Sequence, residues 1–126
     1  MATFSLFLTV AIFASGCAAQ PVLQLAIPSS GPRIDAVVLA ARADAAKRSG
    51  LALAQLQVLE AGSVTWPDGS LGCPRSGMLY TEALVAGYRV KLRVGGEVWD
   101  YHAAERGGLI LCPPEQSQEP APDSRI

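Results

Sequence analysis

An α+β fold, with one helix packed on a three- to four-stranded antiparallel sheet and braced by one disulfide, is predicted by three features of this sequence. A helical apolar period begins at Ile34 and gives way, after Gly50, to two-residue alternation. The alternating runs 88–94 and 97–102 flank Gly95-Gly96, a hairpin signal because glycine takes positive φ without steric penalty. Once Cys17 is assigned to lipidation, Cys73 and Cys112 remain as an even pair.

Residues 1–16 read as a lipoprotein signal peptide. The apolar run 4–13 followed by Ala14-Ser15-Gly16-Cys17 resembles a bacterial lipobox, with Ala14 where that motif usually has Leu. No Lys or Arg precedes Arg33, so the amino terminus alone supplies the positive charge that export segments carry. A run this short cannot cross about 30 Å of hydrocarbon, for which a helix needs roughly twenty residues. Cleavage before Cys17 and lipidation of its thiol are therefore expected, with ordinary secretion as the alternative. The anchored chain is expected at the cell membrane or the outer membrane, facing the periplasm or the exterior; Ala18 is not the Asp that, by resemblance to sorted lipoproteins, favours retention at an inner membrane, which points to the outer one where two exist. Residues 17–33, with Pro21, Pro28, Ser29 and Ser30, read as a flexible tether with a reach of about 20 Å. The membrane is the partner this implies, through the lipid on Cys17.

The folded domain is expected over residues 34–112. Its helix starts at Ile34-Asp35, where Asp35 suits the positive end of the helix dipole, and ends with Lys47 and Arg48 before Gly50. Val37, Val38, Ala41 and Ala45 form a narrow, alanine-rich stripe, suited to close packing on a sheet. A first strand is expected over 54–60, where Leu56 and Val58 alternate with Gln55 and Gln57, extending past Gly62 to Val64 and Trp66. In the hairpin, pairing Val94 with Glu97 sets Leu92 opposite Trp99 and Val90 opposite Tyr101 on one face. The same register sets Lys91 opposite Asp100 and Arg89 opposite His102 on the other, expected to be wet. Glu105-Arg106-Gly107-Gly108 turns the chain into a last strand at 109–112, and the Pro, Gln, Glu and Ser of 113–126 predict a disordered tail.

Net charge is −1, too weak a field for nucleic acid, which is not expected as a partner. Cys73 and Cys112 fit a disulfide in an exported chain. The alternative, a metal site with His102, lacks a fourth ligand and the close cysteine spacing of zinc sites. No cofactor motif, phosphate loop or repeat is present. For a small hydrolase, a further alternative, catalytic residues are not identified. Ser70 and Ser76 lack nucleophile-elbow spacing, a pair such as Asp68 and Glu82 is commonplace, and a single histidine defines no triad.

The segment with most to say lies between the first strand and the hairpin. It carries Trp66, Asp68, Ser70, Leu71, Arg75 and Tyr80, which form the candidate binding loop. Long ordered loops in small domains are often functional; the plainer alternative is a loop packing its own apolar residues on the sheet. Two uses are open. One is a non-enzymatic binding module of the cell envelope with an envelope protein as partner, using the loop and the Arg89, Lys91, Arg93 stripe. The other is a protease inhibitor presenting Arg75, two positions beyond a bridged cysteine, to an acidic pocket.

Trp66-Pro67-Asp68-Gly69-Ser70-Leu71-Gly72-Cys73-Pro74, followed by Tyr80 and Gly87-Tyr88-Arg89-Val90, resembles a family of small exported bacterial domains of unknown function. The resemblance implies a helix before an antiparallel sheet and paired cysteines, and no activity. The element order also resembles PepSY-type domains, a family with members that modulate proteases. Arg75 and Ser76 depart from the proline-glycine pattern of the exported family, so no role passes to them.

Overall fold

Val37, Ala41 and Ala45, each four residues after the last, are the buried line of helix α1 (Ile34–Ser49), and their small side chains let it lie close to the sheet. The computed structural model describes residues 34–122, so the expected signal peptide, the expected lipidation residue Cys17, the expected tether and residues 123–126 lie outside the described residues. Asp35 and the Lys47-Arg48 pair sit at the two ends of α1 as the dipole favours, and Gly50 terminates it at φ 75° while its N–H donates to the Ala46 carbonyl.

Four strands follow: β1 (Gln57–Trp66), β2 (Val85–Val94), β3 (Glu97–Ala104) and β4 (Leu109–Cys112), antiparallel in the order β1-β2-β3-β4. The fold is α+β, with one helix on a four-stranded sheet and a Cys73–Cys112 disulfide whose Cα atoms are 5.8 Å apart. The hairpin register is the expected one, with Val94 opposite Glu97, Leu92 opposite Trp99 and Arg89 opposite His102. Gly95 takes the left-handed φ the turn requires. Val90, Leu92, Val94, Tyr101 and Ala103 meet α1 and Leu56 in the main core, where each fully buried aliphatic side chain contributes about 1.5–3 kcal/mol.

Three expectations are corrected. The first strand begins later than predicted, because Leu53–Gln55 form a 3₁₀ turn, and the register shift between Val58 and Glu60 leaves Val58 exposed. The hairpin face expected to be wet is covered: Arg89, Asp100 and His102 are buried there, beneath the loop between β1 and β2. The composition of residues 113–126 predicts disorder, yet residues 113–122 form a strap across that face. Leaving β4, the strap turns through Gln116 and Ser117 N–H bonds to the Pro113 carbonyl. It then passes Asp100 of β3 and Arg89 of β2 and reaches β1, where the Ala121 N–H donates to the Thr65 carbonyl at 2.9 Å. Hydrogen bonds and the Glu119–Arg89 ion pair supply the order that apolar content does not. The fold therefore has three layers: helix, sheet, and loop with strap.

Candidate functional site

Trp66, first of the candidate binding residues, is wholly buried. Its indole stacks on the His102 ring at 4.4 Å between centroids and donates from Nε1 to the Ala103 carbonyl at 3.1 Å. Two glycines make room for it: a Cβ at Gly72 would stand 2.5 Å from the indole, and one at Gly87 would stand 2.9 Å from it and 2.0 Å from the Ala103 carbonyl oxygen. Asp68 and Ser70 shape the turn that follows, since Asp68 Oδ1 accepts from both the Ser70 N–H and its hydroxyl. Leu71 is buried against Trp66 with φ 56°, and Cys73 ties the loop to the end of β4. The Tyr80 hydroxyl accepts from the Arg75 N–H at 3.0 Å. Trp66, Asp68, Ser70, Leu71 and Tyr80 thus build the loop, and Arg75 is the member that stands exposed.

Arg75 is held in a turn. Its N–H is bonded to Tyr80 and its carbonyl accepts from the Met78 N–H at 3.2 Å. A loop that inhibits proteases in the manner of a substrate is extended and offers these backbone groups to the enzyme. Beyond Arg75 the loop exposes Met78, Leu79 and Leu84, with Leu79 at 99%.

Beneath the loop lies a polar network that the sequence reading missed. Arg89 grips Asp100 with two bonds, Nε to Oδ1 at 3.0 Å and Nη2 to Oδ2 at 2.8 Å, and reaches Glu119 of the strap from Nη1 at 2.7 Å. The Ser117 hydroxyl donates to Asp100 Oδ2 at 2.7 Å, and His102 Nε2 lies 3.1 Å from the same oxygen. His102 Nδ1 faces the Leu71 carbonyl at 2.6 Å; a carbonyl only accepts, so Nδ1 donates there. Burial pushes the Asp100 carboxyl up, but hydrogen bonds from His102, Arg89 and Ser117 outweigh it and hold the group well below the usual carboxylate range. The Asp100 hydrogen bond raises Arg89 against its burial. Burial, with the bond to Asp44, likewise raises the Tyr101 phenol.

Ser117, His102 and Asp100 do not form a hydrolytic triad. Such a triad puts the serine and the carboxylate on opposite ring nitrogens; here both approach Nε2, Ser117 at 3.4 Å, and the ring is fully buried. The Arg89, Lys91, Arg93 stripe is also broken up, because Arg89 is buried, Lys91 approaches Glu60 at 3.6 Å, and Arg93 remains exposed. Among the described residues no three His, Cys, Asp or Glu side chains gather as a metal site, and no helix is long and apolar enough to cross a membrane.

A groove of about 860 Å³ lies on the open side of β4. It is lined by Leu109, Ile110 and Leu111 of β4, Val98 and Trp99 of β3, and the arginines Arg48 and Arg75. Arg48 comes from the end of α1 and Arg75 from the loop, so the two cations reach the groove from opposite layers. Sequence reasoning singled out Arg75 but not its companions. The Pro113-Pro114 pair that stops β4, leaving the start of β3 without a neighbour on that side, was the available signal.

Comparison with curated proteins and with solved structures finds no match. Residues 38–112, which run from α1 to the second bridged cysteine, match the family described as a domain of unknown function, DUF8738, and the chain belongs to that family.

Proposed function

We propose that this protein is a lipid-anchored binding module of the cell envelope, without chemistry of its own, that meets a partner at the groove beside β4. The observation that carries this reading is the groove itself: an apolar strand edge open to solvent, with a cation on either side of it. The burial of His102 and the crowding of Ser117 and Asp100 onto one of its nitrogens support a structural use of those groups. The lipobox-like Ala14-Ser15-Gly16-Cys17 supports the anchor.

Two measurements test it. Intact mass of the native protein, with and without reductant and alkylation, is expected to give a chain beginning at an acylated Cys17 and carrying one bridge; a full-length, unacylated chain overturns the anchor. Cross-linking in envelope preparations, comparing the natural chain with Arg75→Glu, is expected to lose the captured partner in the variant. Arg75 is exposed and its side chain makes no ion pair among the described residues, so the variant folds. Recovery of the same partners in equal yield overturns the binding reading.

A further inference from the structure

The sheet has two edges, and they are finished differently. β1 carries a register shift between Val58 and Glu60, and the strap covers its far end by the Ala121 to Thr65 bond. Bulges and covering segments are how proteins keep a strand edge from pairing. Among the described residues β4 has neither: its residues are Leu109, Ile110, Leu111 and Cys112, without a charge among them.

The two-residue turn at Gly95-Gly96 fixes which backbone groups that edge presents. In an antiparallel ladder, hydrogen-bonded and non-bonded pairs alternate, and a tight turn closes on a bonded pair, here Val94 with Glu97. Counting along β3, Asp100 and His102 bond toward β4, to Cys112 and Ile110, so the N–H and C=O groups of Leu109 and Leu111 point away from the sheet. Side chains from both faces of β4 line the groove, as they do when the open edge itself is the floor.

Resting on the binding-module reading above, we infer that β4 takes an extended segment of another protein as a fifth strand, alternately apolar and carrying an acidic residue that lies between Arg48 and Arg75. The groove contains one acidic side chain, Glu97, which accepts from Trp99 Nε1 at 3.2 Å, against two arginines. Arg48 uses its Nε on Asp44 and keeps both terminal nitrogens for a ligand. Charge argues against a second copy of this chain. A twofold pairing of β4 with β4 brings the arginine-flanked end of one strand to the start of the other, where Arg106 is exposed.

The test is selection of random peptides displayed on phage against the detergent-solubilised full chain, followed by synthesis of the enriched sequence. Alternating apolar residues with Asp or Glu at one fixed place are expected, with amide shifts at Leu109, Leu111 and Val98. Methylating the peptide's alternate backbone nitrogens is expected to weaken binding about tenfold or more, and Arg48→Gln with Arg75→Gln about tenfold. Because methylation alters only the peptide, this arm cannot fail through misfolding. Absence of enrichment, indifference to methylation, or shifts elsewhere overturns the inference. So does a concentration-dependent dimer dispersed by Leu111→Pro, which assigns the edge to a second copy. If no strand-like peptide binds while envelope capture still depends on Arg75, strand addition alone falls and the binding reading stands.

Discussion

Gly87 shows how little freedom a single position has at the centre of this fold. An alanine there drives its methyl into the Ala103 carbonyl and the Trp66 ring, neither of which can yield without breaking the strand pairing or the indole hydrogen bond. Gly87→Ala is expected to cost about 3 kcal/mol in urea unfolding. Gly62→Ala, with open space around the new methyl, is expected to stay within about 0.5 kcal/mol of the natural chain. Asp100 is a residue of the same kind in electrostatic terms. Replacing it with Asn leaves the buried Arg89 guanidinium without its bidentate partner, a loss of about 3–5 kcal/mol. Glu119, with its side chain 69% exposed, is expected to cost less than about 1 kcal/mol as Gln, because solvent screens that bond. A double-mutant cycle over Arg89 and Asp100 separates the pair from the rest of the network.

At the scale of elements, the strap is the piece whose order depends most on others. Its composition resembles a solvated tail, and its position comes from the Gly72 and Thr65 carbonyls, Asp100 and Arg89. The Gln118 and Ala121 amides, which donate to the Gly72 and Thr65 carbonyls, are therefore expected to show measurable hydrogen-exchange protection. Ending the chain at Cys112 uncovers Arg89 and Asp100 and is expected to shift tryptophan emission to the red as water reaches the Trp66 and His102 stack. Complete exchange of both amides within seconds in the natural chain contradicts the strap as described.

For the whole molecule, the disulfide and the buried carboxylate govern stability in different conditions. Cys73 and Cys112 are 39 positions apart, and closing such a loop stabilises the folded state by about 4 kcal/mol in the chain-entropy model. Cys73→Ser with Cys112→Ser is expected to lose an amount of that order in denaturant unfolding. Asp100 supplies an acid dependence. Its carboxyl lies lower in the folded chain than in the unfolded one, where an Asp titrates at about 3.9, so its contribution is complete above about pH 4 and lost as pH falls toward the folded value. The unfolding midpoint is expected to drop between about pH 4 and pH 2, and more steeply in the natural chain than in Asp100→Asn. Equal slopes in the two proteins refute this assignment.

Much of the architecture was legible in order. The alanine stripe of α1, the turn glycine, the pairing of β2 with β3 and the two bridged cysteines are local or nearest-neighbour properties, set by period, turn chemistry and cysteine count. The candidate site was legible only in Arg75. Trp66, Ser70 and Leu71 look like recognition residues in a line of text, and packing turned them inward. What tertiary structure alone decided was the fate of the second sheet face. Alternation tells which residues share a face, but whether that face meets water depends on segments remote in sequence, here the loop and the strap. Once they cover it, Arg89, Asp100 and His102 cease to be a wet stripe and become a buried, mutually satisfied network, because a charge removed from water must find its partner within the fold.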